Sequence, residues 1–319
     1  MASGATGSLG KVAVVGTGAV GGCYGGLLAR SGQDVHFLFR SDYEAALEKG
    51  LRITMHGNER DSFRVEPLRA YCEASEIGIC DWVIVATKST ANLTLAGVLQ
   101  PLVGSETALL TLQNGMGNVE WLTENFGPSS RVVAGLCFTC SNRMAPCEVE
   151  NFFPGYVQFG EPNGPLSEDG RAVMQAFQNA GIRCKSAESL DDALWRKLCW
   201  NIPFNGLTVA AGGITTDLIL ADRELTRRAR CLMEEIQSAA FALGIEIENE
   251  FLEQQFTLTE SMGAYKPSSL IDFLAGREVE VEAIWGEPLR RGQTVGVAMP
   301  ELQRLHDQLK TAVESRRST

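Results

Sequence analysis

Histidine is nearly missing from this chain: three occur in 319 residues, His36, His56 and His306. Their settings, a strand, a turn and a C-terminal helix, suit structural or solvated roles, so acid–base chemistry would fall to lysine or a carboxylate. No apolar run approaches the roughly 18 residues that a membrane-spanning helix needs, which excludes one. Positive charge is also short. Lys and Arg total 28 against 39 Asp and Glu, a net charge of -11, and this disfavours nucleic acid or an anionic membrane as partner. Any anionic ligand must then be held by a few placed cations. Met1 to Gly10 lacks the basic and apolar segments of a secretion signal and reads as a disordered lead-in. The nine cysteines are an odd, scattered set without such a signal, which points to thiols in a reducing cytoplasm. Cys137-Phe-Thr-Cys140, with Cys147 beyond, has no second pair or histidines to complete a zinc site. On a strand its two thiols point to opposite faces, so no metal is expected.

What the chain does have begins at Lys11. Val12 to Val15 form a continuous apolar run that leads straight into Gly16-Thr17-Gly18-Ala19-Val20-Gly21. A buried parallel strand that turns sharply into a helix needs this order. Gly16 serves the tight turn, Gly18 lets a pyrophosphate approach the backbone, and Gly21 lets helix and strand pack closely. The helix start then offers free N–H groups and a positive dipole end to the phosphates. The spacing predicts dinucleotide binding; the plainer alternative is a glycine-rich turn in an ordinary α/β protein.

A helix over Cys23 to Arg30 and a strand over Asp34 to Phe39 follow, and Arg40 comes directly after. NAD-preferring sites usually place an acid there; a cation suits a 2′-phosphate and so NADPH. The alternative is a solvated arginine paired with Asp42. The pattern continues with a helix over Tyr43 to Lys49, a strand over Leu51 to Met55, and buried strands at Asp81 to Thr87 and 107–112. The last two end in Lys88 and in Gln113-Asn114. Ligands of open α/β sheets collect at strand carboxyl ends, which Arg40, Lys88 and Asn114 share. Alternating apolar residues from Val132 to Glu161 suggest late strands closing the sheet, and a helix follows near Glu168 to Ala180. Helical periodicity dominates beyond Cys184. The expected organisation is thus a lead-in over 1–10, an α/β dinucleotide-binding domain over 11–187 and an all-α domain over 188–319.

In Trp195-Arg-Lys197-Leu-Cys-Trp-Asn201-Ile-Pro-Phe-Asn205-Gly206, the lysine and two asparagines stand at i, i+4 and i+8, one polar stripe flanked by bulky apolar side chains. Such a stripe suits a lined pocket, with Pro203 kinking the helix. An amphipathic helix merely facing water is the alternative. Ser269 with Asp272 resembles a capping box, and Glu278-Val-Glu280-Val-Glu282 would equally suit a solvated edge.

Together these residues resemble the ketopantoate reductase (2-dehydropantoate 2-reductase) family. GTGAVGG, the Lys88 strand end, QNGMGN, WRKLCWNIPFNG and SSLIDFLAGREVEVEAIWG occur in that family's order over roughly Lys11 to Val297. The resemblance implies a Rossmann-type N-terminal domain, an all-α C-terminal domain and a cleft between them, with NADPH reducing 2-dehydropantoate to pantoate for pantothenate and coenzyme A synthesis. By position it implies Lys197 and Glu280 as catalytic residues. It implies Asn114, Asn201, Asn205 and Ser268 as substrate contacts beside Lys197, and Arg40, Lys88, Asn114, Ser141 and Glu280 as cofactor contacts. Thr215-Thr216 stands where the prototype has another substrate-binding asparagine, so a related reductase of a different 2-keto acid is an alternative, as is a non-catalytic NADPH-binding sensor. Oligomeric state is open, a homodimer being among the states the sequence admits.

Overall fold

Val12, Val14 and Val15 are buried to within a few per cent, as a strand flanked by parallel neighbours on both edges requires. In this computed structural model, which describes residues 7–57, 59–127 and 131–317, the chain separates into two compact units. Residues up to Gln113 together with Asn118–Leu190 form one; Asn114–Gly117 together with Asp191–Thr319 form the other.

The first unit runs β1 (Lys11–Val15), α1 (Ala19–Arg30), β2 (Asp34–Leu38), α2 (Tyr43–Lys49), β3 (Arg52–His56), β4 (Arg60–Arg64), β5 (Arg69–Tyr71), α3 (Ala74–Ile77) and β6 (Trp82–Val85). It continues with α4 (Asn92–Leu99), β7 (Ala108–Thr111), α5 (Asn118–Phe126), β8 (Val132–Ala145), β9 (Glu148–Gly160), α6 (Glu168–Asn179) and β10 (Cys184–Ser186). The sheet order is β4-β3-β9-β8-β7-β6-β1-β2-β5, with β10 on β9. The run from β5 to β8 is parallel throughout. The order reverses at β1, since β2 lies on one side of it and β6 on the other, and that switch point is where such sheets open a crevice. The late strands expected at 132–161 are a hairpin whose arms carry register shifts between Phe138 and Ser141, so Cys137 and Cys140 stand on irregular strand.

Of the expected lead-in, residues 1–6 lie outside the described residues. Residues 7–10 are tied down: Leu9 is 5% exposed and its N–H donates to Gln33 Oε1 at 2.9 Å. His56 closes β3 instead of occupying a turn, because its ring stacks on Phe152 and its Nε2 lies 2.8 Å from Glu150 Oε2.

The second unit is helical: α7 (Leu190–Trp200), α8 (Gly206–Ala210), α9 (Thr216–Ala221), α10 (Arg223–Ala242), α11 (Asn249–Met262), α12 (Ser268–Leu274), α13 (Glu287–Thr294) and α14 (Pro300–Arg317). The long α10 packs against α9, α13 and α14, with Leu232, Met233 and Ile236 inaccessible to solvent. Each such side chain contributes roughly 1.5–3 kcal/mol by burial. Two π-helical turns interrupt the α-helices, over Asn201–Asn205 and Glu282–Gly286. Among the described residues no helix is long and apolar enough to cross a membrane.

Candidate active site

The glycine corner of the first unit is built as its spacing demands. Gly16 sits at φ +99°, and a Cβ there would lie 2.4 Å from the Thr87 nitrogen, so only glycine fits the turn against the end of β6. A Cβ on Gly21 would come 2.2 Å from the Gly16 carbonyl oxygen, which is the close helix–strand approach. At Gly18 a Cβ would meet nothing within 4 Å. The backbone there faces open space at the start of α1, where no side chain caps the helix and no acidic residue occupies the first turn. Thr17, Ala19 and Val20 complete this corner, and Ser141 from β8 reaches it, donating from its hydroxyl to the Ala19 carbonyl at 3.0 Å. Free N–H groups, a positive helix end and an uncovered backbone fit a nucleotide pyrophosphate.

Arg40 is exposed just beyond β2. The Asp42 carboxylate, its expected alternative partner, is instead 3.2 Å from Arg143. Lys88 is half-buried and directly precedes the short 3-10 turn Ser89–Ala91 at the end of β6. Sequence reasoning missed Gln113, whose amide donates to Asn92 Oδ1 at 2.9 Å and to Thr87 Oγ1 at 3.3 Å. It thereby ties the residues after β6 and β7 together; a polar residue beside Asn114 was the available signal.

In the second unit, Asn114 and Lys197 meet although 83 residues separate them: Nζ of Lys197 donates to Asn114 Oδ1 at 3.0 Å. Asn114 is carried there by its neighbours. The Met116 N–H donates to the Ala283 carbonyl at 2.8 Å, and Gly115, at φ +85°, approaches Ala283 so closely that a Cβ would fall 2.4 Å from its oxygen. Lys197 lies in the last turn of α7. The π turn that follows holds Asn201 and Asn205, with Asn205 Nδ2 donating to Asn201 Oδ1 at 3.5 Å. Asn205 Oδ1 accepts from the Ser269 N–H at 3.0 Å and from the Ser268 hydroxyl at 3.4 Å. Three of the expected substrate residues therefore form one hydrogen-bonded row, Asn201 to Asn205 to Ser268, with the lysine–asparagine pair one helical turn away.

The kink expected at Pro203 takes the form of this π turn. It is clamped by the second π turn, whose Trp285 indole N–H donates to the Ile202 carbonyl at 2.9 Å. Glu280, 9% exposed, lies two residues before that second turn, whereas Glu278 and Glu282 on either side of it are exposed, so of the three acids in the acid–valine alternation only Glu280 is withdrawn from solvent. Ser269 and Asp272 do not form a capping box: no side chain of α12 caps its start, Asn205 accepts the Ser269 amide, and Asp272 pairs with Arg277 at 2.8 Å. Thr216 is fully buried and bonds through its N–H to the Tyr265 carbonyl and through its hydroxyl to the Gly263 carbonyl.

No disulfide joins the cysteines, and no metal-holding cluster occurs among the described residues. Burial pushes the Cys184 and Cys199 thiols up to about 12 and those of Cys80 and Cys147 to about 11, so these four are not thiolates at neutral pH.

Comparison with known proteins identifies the family. The family model of ketopantoate reductase PanE/ApbA matches residues 12–164, and its C-terminal model matches 189–313. A 2-dehydropantoate 2-reductase from Nostoc sp. is 36% identical over 305 residues, covering 94% of each chain. The crystal structure of 2-dehydropantoate 2-reductase from Geobacter metallireducens superposes with a TM-score of 0.89 at 38% identity, over 95% of this chain and 99% of that one. That from Methylococcus capsulatus gives 0.85 at 32%, over 97% and 98%. The same two-part match, in the same order and over nearly full length on both sides, means that this chain belongs to the ketopantoate reductase PanE/ApbA family of NADP-dependent oxidoreductases acting on CH–OH groups.

Proposed function

We propose that the protein reduces 2-dehydropantoate to pantoate with NADPH, and that Lys197 is the general acid. The observation that carries this reading is the Lys197–Asn114 hydrogen bond at 3.0 Å, which holds an ammonium at the head of a row of neutral polar groups. When bound, NADPH supplies the hydride that adds to the C2 carbonyl carbon. Negative charge then develops on the carbonyl oxygen, and the Lys197 ammonium stabilises it and transfers its proton there. The neutral amine regains a proton from solvent. Asn114 orients the ammonium by accepting one of its N–H bonds. Asn201 and Ser268 hold the carboxylate and hydroxyl ends of the substrate, and Asn205, 2% exposed, keeps those two groups in register. Glu280, by its place in the family motif, would supply the acidic group of the site.

On the nucleotide side, the Gly16–Gly21 corner takes the pyrophosphate, with Ser141 buttressing the start of α1 and Lys88 adding a cation at the adjacent strand end. Arg40 reads the 2′-phosphate, a reading helped by Asp42 being occupied by Arg143. One observation favours a second reading, a reductase of a different 2-keto acid: where the family prototype has a substrate asparagine this chain has Thr215-Thr216, of which Thr215 donates to Asp217 and Thr216 is buried and spent on backbone carbonyls. Steady-state consumption of NADPH with 2-dehydropantoate and a panel of 2-keto acids separates the two. Lys197→Ala should lower turnover by about 10²-fold or more with NADPH affinity little changed. Unaltered turnover in that variant would remove the lysine from the mechanism.

A further inference from the structure

Beside the polar row of the second unit runs an apolar one. Trp200 ends α7 directly before Asn201, Phe204 precedes Asn205, and Tyr265 lies three residues before Ser268. The Trp200 ring lies 5.4 Å from that of Phe204 and 6.1 Å from that of Tyr265. Its indole N–H donates to Thr259 Oγ1 at 2.9 Å. Thr259 is fully buried and donates in turn to the Gln255 carbonyl at 2.6 Å, so the ring is held in one orientation. Trp195 and Trp285, by contrast, are 1% and 0% exposed and serve the core, whereas Trp200 keeps part of its surface open. An indole that is bonded at its polar edge and yet uncovered on one side is arranged to receive an apolar group. Tyr265 is fixed in the same way from its backbone, its carbonyl accepting from the Thr216 N–H at 3.1 Å and its N–H donating to the Gly263 carbonyl at 2.7 Å. Thr216 thus holds an aromatic residue in position where an amide would have offered a hydrogen bond.

We propose that Trp200 and Tyr265 form a fixed aromatic wall that receives the C3 substituents of the 2-keto acid, and that Trp200 is the specificity-determining residue of this enzyme. A 2-keto acid is itself two-sided: its carboxylate and carbonyl need the polar row, and its carbon chain from C3 outward needs an apolar surface. The inference rests on the reading of this chain as a 2-keto acid reductase and adds the preference for substrates that are branched or bulky at C3. Unbranched acids fill no part of the wall and gain nothing from it.

The test compares kcat/KM for 2-dehydropantoate, whose C3 carries two methyl groups, with that for pyruvate, whose C3 carries no substituent, using the full-length protein and NADPH. Trp200→Ala should lower the 2-dehydropantoate value roughly tenfold or more, the scale of losing a methylene-sized contact in an apolar pocket, with the pyruvate value and the NADPH Kd little changed. Trp200→Phe, which keeps an aromatic face, should retain most of the discrimination. The half-exposed Tyr265→Ala carries the same test should Trp200→Ala fail to fold. Equal losses on both substrates, or an unchanged ratio, would overturn the wall while leaving the reductase reading intact. A wild-type protein that reduces no 2-keto acid would overturn both.

Discussion

Replacing Gly18 by alanine should separate cofactor affinity from stability at a single corner. Gly18 has φ -78° and ψ -154°, a conformation open to any residue, and its Cβ would meet no protein atom within 4 Å. Two small terms of opposite sign act on the fold: alanine is a poorer N-cap than glycine by roughly 0.5–1 kcal/mol, and it stiffens the unfolded chain by about 0.4–1 kcal/mol. Their near cancellation leaves Tm within a few degrees, since about 1 kcal/mol shifts a unit of this size by roughly 2–4 °C. The nucleotide, however, loses its approach to the backbone. Forfeiting one charge-assisted hydrogen bond costs about 1.5–3 kcal/mol, or about 10–100-fold in the Kd for NADPH. Gly16→Ala is the opposite control. There the new methyl would lie 2.4 Å from the Thr87 nitrogen and 2.6 Å from the Ala86 carbonyl carbon at φ +99°. These are backbone atoms of the sheet, so strain and overpacking together cost roughly 2–5 kcal/mol, on the order of 10 °C in Tm. Fluorescence titration with NADPH and thermal unfolding with and without it read both quantities. A folded Gly18→Ala protein that binds NADPH as the wild type does would show that the phosphates do not approach this backbone and that the glycines serve only the turn.

Arg40→Ala should weaken NADPH by about 10–100-fold, the scale of a charge-assisted contact to phosphate, and leave NADH unaffected; parallel titrations check this, and an equal effect on both nucleotides rules out a 2′-phosphate reader. Glu282 supplies a pH dependence. Burial alone would raise its carboxyl, but hydrogen bonds from Arg290, Lys310 and His306 outweigh that and hold it at about 2 against an ordinary 4.5. The folded protein therefore binds this proton less tightly than the unfolded chain, so the stabilisation is complete above about pH 4.5 and is lost as pH falls toward 2. With the side chain 53% exposed, screening keeps the effect small. In urea unfolding, Glu282→Gln should lower the midpoint near neutral pH and match the wild type at low pH; a gap that does not depend on pH would assign the loss to packing.

How much of this could be seen in the sequence followed the range over which each signal acts. The β1 run, the glycine spacing, the ends of β6 and β7 and the helical character beyond Cys184 are set by neighbours a few residues apart, and periodicity reports them. The position of β3 is not local. Its hairpin with β4 is visible as polar turn material, yet it pairs parallel with Glu148–Asn151 of β9, nearly a hundred residues on. Short β5, half-exposed and only Arg69–Tyr71, gives no alternation long enough to detect. The grouping of Asn114–Gly117 with the helical unit depends on the Met116 and Gly115 contacts to Ala283, which no pattern in QNGMGN announces.

The polar stripe of α7 shows why residue type and spacing indicated a site while leaving its internal roles undecided. An ideal helix would present Lys197, Asn201 and Asn205 equally, as three ligand groups on one face. The π turn begins at Asn201 and breaks that equivalence, because the wider turn carries the later residues off the line set by α7, although Asn205 Nδ2 still reaches Asn201 Oδ1 at 3.5 Å. Lys197 remains half-buried and paired with Asn114, whereas Asn205 is buried and spends its oxygen on the start of α12. The change originates in Pro203, which has no N–H to continue the α-helical ladder, and is fixed by Trp285, whose indole binds the Ile202 carbonyl. That approach requires Gly206, where a Cβ would lie 2.7 Å from the Trp285 nitrogen. A proline, a tryptophan and a glycine, none of them a candidate for chemistry, thus decide which asparagine is buried against the start of α12 and which keeps part of its surface open.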